Sequence, residues 1–109
     1  MKKIIIESPY AGDVKRNIKY ARACVRDSLT RGESPLASHL LYTQEGILDD
    51  NDPKERQLGI SAGLAWLEGV DLHVFYVDHG MSNGMMEAVK KSQHKTKIVF
   101  RKILGDENE

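Results

Sequence analysis

Ile4-Ile5-Ile6 restricts this chain more than any other feature. Three consecutive β-branched residues leave no polar alternation, so residues 2–6 read as a short strand buried on both faces, as in a parallel sheet. Glu7-Ser8-Pro9-Tyr10-Ala11-Gly12 stops the run with turn chemistry, Pro9 and Gly12 bracketing a loop. Asp13 is a good N-cap, and Val14, Ile18, Ala21, Val25 and Leu29 follow at helical spacing. Lys15, Arg16, Lys19, Arg22 and Arg26 make the opposite face cationic, and Gly32 closes the helix beside Arg31.

The rest of the chain repeats the alternation. Residues 35–41 are short and apolar and read as a second strand, followed by a long polar loop at 42–52. Asp52 before Pro53 is a strong helix start. Leu58, Ala62, Ala65 and Trp66 form that helix's apolar stripe, widened by Ile60, Leu64 and Leu67, and Gly69 ends it. Residues 70–77 hold Leu72, Val74, Phe75 and Val77, the clearest strand in the chain. A loop with Gly80 and Gly84 leads to a helix at about 85–93 and a strand at 96–100, and the acidic tail at 105–109 reads as frayed. Strands separated by helix-length steps predict an open parallel sheet with helices on both faces. Right-handed crossovers put its strand order near 2-1-3-4.

Composition narrows the class. At 109 residues one domain, 1–109, is expected, large enough to bury a core without a disulfide or metal staple. Sixteen basic and sixteen acidic side chains cancel, which argues against a nucleic-acid polymer or an anionic membrane as partner. Cys24 is the single cysteine, so neither an internal disulfide nor a paired-cysteine zinc site is expected. No apolar run approaches the roughly 20 residues of a membrane span, and Glu7 cuts the first one far short of a signal peptide. A soluble domain of the reducing cytoplasm is the expectation.

In open α/β sheets ligands bind outside the carboxyl ends of the strands, where strand order reverses. That rule selects the loops at 7–13, 39–52 and 78–87. In the first, Ser8, Pro9, Tyr10 and Gly12 let a ligand approach the backbone, and Arg16 lies within reach of a phosphate. It lacks the spaced glycines of a dinucleotide fingerprint and the lysine of a P-loop, so an ordinary strand-to-helix turn is the plain alternative. His39, His73, His79 and His94 form no close ligand pair and read as structural or exposed, with no metal implied. His39 and His79 are the two at the ligand end. Asp49, Asp50 and Asp52 suit a sugar hydroxyl or a cation, or simply a solvated helix cap, for which Asp52 is well placed. Glu87 follows Gly80 and Gly84 at a helix opening, where a carboxylate can attack a sugar carbon or merely complement the helix dipole. Met81, Met85 and Met86 read as core filling or as an apolar floor beneath a flat ring.

These blocks resemble a group of small bacterial and bacteriophage proteins of unknown function. The resemblance runs through Ile4-Ile5-Ile6-Glu7-Ser8-Pro9-Tyr10-Ala11-Gly12-Asp13 and Ala37-Ser38-His39-Leu40-Leu41-Tyr42. It continues through Leu48-Asp49-Asp50-Asn51-Asp52-Pro53-Lys54-Glu55-Arg56 and Ser82-Asn83-Gly84-Met85-Met86-Glu87. The group is in turn similar to nucleoside 2-deoxyribosyltransferases, which implies a flavodoxin-like open parallel sheet of about four to five strands. It also implies transfer of a deoxyribosyl group through a covalent glycosyl-glutamate. Ser8-Pro9 matches the turn after the first strand of those enzymes, and Glu87 matches their nucleophile. Asp78 is the aspartate available to protonate the base, at a longer spacing than theirs, with Met81 nearer the usual place. Asp52 corresponds to a further acidic contact. The implied ligand-binding set is Ser8, Pro9, Tyr10, Gly12, Arg16, His39, Asp52, Ser82, Gly84 and Met85. No cofactor is implied, the partner is a small nucleoside or nucleotide, and a homo-oligomer with shared pockets is expected. The alternative expectation is an inactive bacteriophage sponge that sequesters a cyclic or ADP-ribose-type nucleotide immune signal. There Tyr10 would stack, and Arg16 and helix N-termini would hold phosphates.

Overall fold

The computed structural model describes residues 1–92 and 95–103, and the backbone of 107–108. The expectations at Gln93 and His94, and those for Gly105, Asp106 and Glu109, lie outside the described residues. Strand β1 spans Lys3–Glu7, β2 Ser34–Leu36, β3 Leu72–Tyr76 and β4 Lys97–Arg101. They are all parallel, in the order β2-β1-β3-β4. A two-residue β5, Glu107–Asn108, adds antiparallel to β4, a pairing the reading of a frayed tail did not foresee. The sheet is α/β and flavodoxin-like, with the order expected from right-handed crossovers.

Ile4, Ile5 and Ile6 are 1%, 2% and 0% exposed, so β1 is covered on both faces. Full burial of each such side chain stabilises by about 1.5–3 kcal/mol. Ile4 and Ile6 join Val74, Tyr76, Tyr20, Cys24 and Ala37 in one cluster. The alternate positions Ile5, Glu7, His73 and Phe75 face the other way, because strand side chains alternate. Helix α1, Val14–Thr30, covers the first face. Asp13 caps it, accepting from the Arg16 amide at 3.2 Å.

The buried stripe of α1 departs from the apolar one read in the sequence. Asn17, Tyr20, Ala21, Cys24 and Ser28 point inward, while Val14 and Leu29 are exposed. Polar partners explain the rotation. Asn17 Nδ2 donates to the Tyr10 and Ala11 carbonyls at 2.8 and 3.0 Å, and Ser28 Oγ donates to Glu33 at 2.8 Å.

Two further corrections concern the segments near the ligand end. The strand read at 35–41 is only three residues long, and Ser38–Leu41 is a helical turn, α2. β2 runs out of register partners after Leu36, which faces Ile5. The chain then turns to lay α2 on α3, Pro53–Ala65. That packing is close because Gly63 has no side chain: a Cβ there would lie 2.6 Å from Ser38 Oγ. Of the apolar stripe expected on α3, Leu58, Ile60 and Trp66 are 59%, 38% and 50% exposed, whereas Leu67, just past the helix, is buried; within the helix the buried residue is Gly63. Helix α4, Asn83–Ser92, packs on the face carrying His73. No helix among the described residues is long and apolar enough to cross a membrane.

Candidate functional site

A cleft of about 930 Å³ opens at the carboxyl ends of the strands, between the first loop, α2, α3 and α4. Glu7, Ser8, Tyr10 and Gly12 line it from β1 and the loop that follows. Ser38 and His39 line it from α2, Arg56 and Gly63 from α3, and Ser82, Gly84, Met85, Glu87 and Lys91 from the α4 side. A neighbouring hollow of about 820 Å³ shares Tyr10, Ala11 and Gly12 and extends over residues 43–56.

Each wall has a local cause. Gly12 takes φ +100°, which lets the chain leave β1 and turn directly into the Asp13 cap. Ser82 sets the start of α4: its hydroxyl accepts from the Met85 amide at 3.2 Å, as an N-cap does. The helix therefore begins at Asn83, two residues before the expected start. Glu87 becomes its fifth residue, beyond the first turn, where the helix dipole has little hold on a carboxylate. Glu87 is exposed and faces the cleft. Met85 is 3% exposed, filling the core and flooring the cleft at once, whereas Met86 is 46% exposed.

The remaining candidates are placed elsewhere. Asp78 Oδ2 accepts from Tyr20 Oη at 2.6 Å, and both its oxygens accept from the Ile103 amide at 3.1–3.2 Å. Burial, then the bond to Asp78, pushes the Tyr20 phenol far above its usual range. Arg16 reaches His79 Nδ1 at 3.2 Å, and His79 in turn packs on the Tyr20 ring at 4.3 Å. Asp52 caps α3, accepting from the Lys54 amide at 2.9 Å. Pro9 turns the chain between Ser8 and Tyr10 without lining the cleft. The cleft thus gathers Ser8, Tyr10, Gly12, His39, Ser82, Gly84, Met85 and Glu87, and leaves Pro9, Arg16, Asp52 and Asp78 outside.

Two hydrogen-bonded groups lie at the end of β1. Ser8 Oγ is 2.7 Å from His39 Nε2. Burial holds the His39 imidazole below the ordinary histidine value, against the pull of the nearby Glu7 charge, and its Nδ1 is buried without a hydrogen-bond partner among the described residues. A neutral imidazole beside a hydroxyl can accept that hydroxyl's proton or orient it toward a ligand. Glu7 Oε2 lies 3.0 Å from His73 Nε2, and His73 Nδ1 lies 3.0 Å from Ser92 Oγ. Glu7, Arg56 and Lys91 were not singled out from the sequence. One signal was available for Glu7. A histidine inside the most apolar strand needs a polar partner once buried, and Glu7 stands on the same face of the neighbouring strand. Among the described residues no three His, Cys, Asp or Glu side chains gather as a metal site would need.

The model of a domain family described as a domain of unknown function (DUF7768) matches residues 2–102. No curated protein matches the chain.

Proposed function

The chain belongs to the DUF7768 family, and we propose that it binds a nucleoside or nucleotide in the α3–α4 cleft and cleaves or transfers at the N-glycosidic bond through Glu87. The observation that carries this reading is the convergence of the first loop, His39 and the Ser82–Glu87 segment on one cleft of about 930 Å³. That volume suits a ligand of nucleotide size. The half-buried Tyr10 offers a ring for stacking and Met85 an apolar floor for a base. Glu87 then attacks the sugar carbon from below, the glycosyl-glutamate chemistry that the resemblance read from the sequence would imply. Arg56 and Lys91 line the cleft and take over the phosphate contact that the sequence suggested for Arg16.

A second reading has its own support. The base-protonating aspartate of the transferases would be Asp78 here, yet its carboxylate is held by Tyr20 and the Ile103 amide outside the cleft. A pocket without that acid suits retention of an intact nucleotide, as in a bacteriophage sponge for a cyclic or ADP-ribose-type immune signal. Both readings put the protein in the cytoplasm, a host's cytoplasm for a phage protein, and give it one small molecule rather than a nucleic-acid polymer. Both also include a homo-oligomer with shared pockets, supported by the uncovered Leu58, Ile60 and Trp66 of α3. A monomer at every concentration in sedimentation would remove that part.

One experiment separates the readings. The protein is mixed with nucleosides, nucleotides and cyclic nucleotides, then denatured and chromatographed. Base release that disappears in Glu87→Gln supports the enzyme. Depletion of the free pool, with intact ligand recovered after denaturation, supports sequestration. If neither occurs with any purine or pyrimidine compound, both readings fail.

A further inference from the structure

Glu7 is the last residue of β1 and faces the cleft, with 19% of its side chain exposed. Behind it stands His73, which has no exposed surface and packs against the Phe75 ring at 4.5 Å. The Ser92 hydroxyl donates its single proton to the Ala88 carbonyl, one turn earlier in α4. Its oxygen can then only accept from the imidazole, so His73 carries hydrogen on Nδ1. The 3.0 Å contact between Nε2 and Glu7 Oε2 needs one further proton, resident on either partner. Carboxylate with imidazolium, or carboxylic acid with imidazole, both give a pair of zero net charge. Such a pair is the arrangement that burial tolerates. The pair holds one transferable proton at the cleft wall, where Glu7 is the exposed partner and His73 the one that water does not reach.

Resting on the glycosyl-transfer reading above, we infer that Glu7 is the general acid of the cleft, the role for which the resemblance offered Asp78. A Glu87 oxygen bonds to the sugar carbon as its bond to the base nitrogen breaks. The electron pair of that bond passes to the base, and the Glu7 proton neutralises it. In the second step a water or an incoming base forms the new bond to the sugar carbon and returns its proton to Glu7, and the Glu87 oxygen leaves. The other charged and titratable groups that line this space among the described residues are Tyr10 from the first loop, His39 from α2, Tyr42 and Asp50 from the loop before α3, Glu55 and Arg56 from α3, and Glu87 and Lys91 from α4.

The test compares two probes. Deoxyadenosine needs a proton on its leaving base, whereas nitrophenyl deoxyriboside releases an anion that needs none. Glu7→Gln is expected to lose about 100-fold or more on deoxyadenosine and only a few-fold on the nitrophenyl compound, with the pH profile losing its limb for the acid. Glu87→Gln is expected to lose both activities. Ser92→Ala keeps Glu7 in place and shifts the pH optimum without abolishing turnover. If Glu7→Gln lowers both probes equally, or neither, the inference fails while the role of Glu87 stands. If the wild-type protein cleaves neither probe, or Glu87→Gln cleaves both as well as wild type, the glycosyl chemistry fails and the acid role with it. Should Glu7→Gln be unfolded by circular dichroism, His73→Gln carries the same two-probe comparison.

Discussion

Replacing Gly63 by alanine probes the contact that positions His39. A Cβ at Gly63 would lie 2.6 Å from Ser38 Oγ and 3.3 Å from Ser38 Cβ, and Ser38 is itself buried. Two effects oppose each other. Alanine is preferred to glycine inside a helix by about 1 kcal/mol, whereas forcing a methyl group into a packed site costs about 1–3 kcal/mol. At 2.6 Å the overlap is severe, so the upper part of that range applies and the net destabilisation is about 1–2 kcal/mol. Unfolding entropy near 2.1 cal/mol/K per residue makes each kcal/mol worth about 4 °C for 109 residues, so the midpoint falls by about 4–8 °C. Ser38→Ala removes the hydroxyl and leaves only the 3.3 Å contact. On that background the same Gly63→Ala change should be neutral or raise the midpoint, a coupling of about 1–3 kcal/mol. Thermal melts of the four proteins by circular dichroism measure it. His39 follows Ser38 in α2, so its imidazole resonances should shift as the 2.7 Å contact to Ser8 loosens. A midpoint that rises by about 4 °C in the otherwise native protein would refute the reasoning, because helix preference alone would then account for the result.

Three further outcomes are expected. Arg101 is 2% exposed and holds Glu33 through bonds of 2.6 and 2.9 Å, so Arg101→Leu should cost about 3–5 kcal/mol in urea titrations near pH 7. Burial alone would raise the Glu33 carboxyl, but the Arg101 and Ser28 hydrogen bonds outweigh it and hold the group below 4.5. The stability from that pair is therefore complete above pH 4.5 and lost as pH falls through the folded value; an equal gap between wild type and variant at about pH 3 would contradict this. His39 has the same acid-side sign by another route. Its folded value lies below 6.5, so the unfolded chain takes up the proton first and stability falls with pH below 6.5, down to the folded value. His39→Gln should flatten that stretch of the stability–pH curve, and an unchanged slope would exclude His39 as its source. Burial pushes the Cys24 thiol up to about 12 and leaves it 0% exposed. A thiol–disulfide dye at about pH 8 should label it only at the rate of unfolding, and prompt labelling of the native protein would show that the α1 face opens.

Much of the fold was legible because its signals are local. Burial on both faces follows from the composition of Ile4-Ile5-Ile6 itself, and the helix starts at Asp13 and Asp52 are side-chain caps within three residues of the amides they satisfy. The errors share a different cause. The inward face of α1 is not legible in the sequence because Asn17, Tyr20 and Ser28 count as polar in any pattern. Each is buried by a partner whose position depends on the folded chain. Ala37-Ser38-His39-Leu40-Leu41 is short and apolar as a strand is, and the gap opposite Gly63 that receives α2 exists only once α3 is in place.

The sequence by itself determined the parallel sheet, its strand order and the end of it at which the cleft opens. Those follow from alternation of strand and helix, the handedness of crossovers and the burial demanded by β-branched runs, all of which act along the chain. Only the tertiary structure decided which polar side chains share the cleft. It brought Glu7 against His73, 66 residues away, and Ser8 against His39, and it took Asp78 out to Tyr20, 58 residues away. The reason is the period of two in a strand. Glu7 and His73 stand on one face and Asp78 follows Tyr76 on the other, so α4 meets one set and α1 the other.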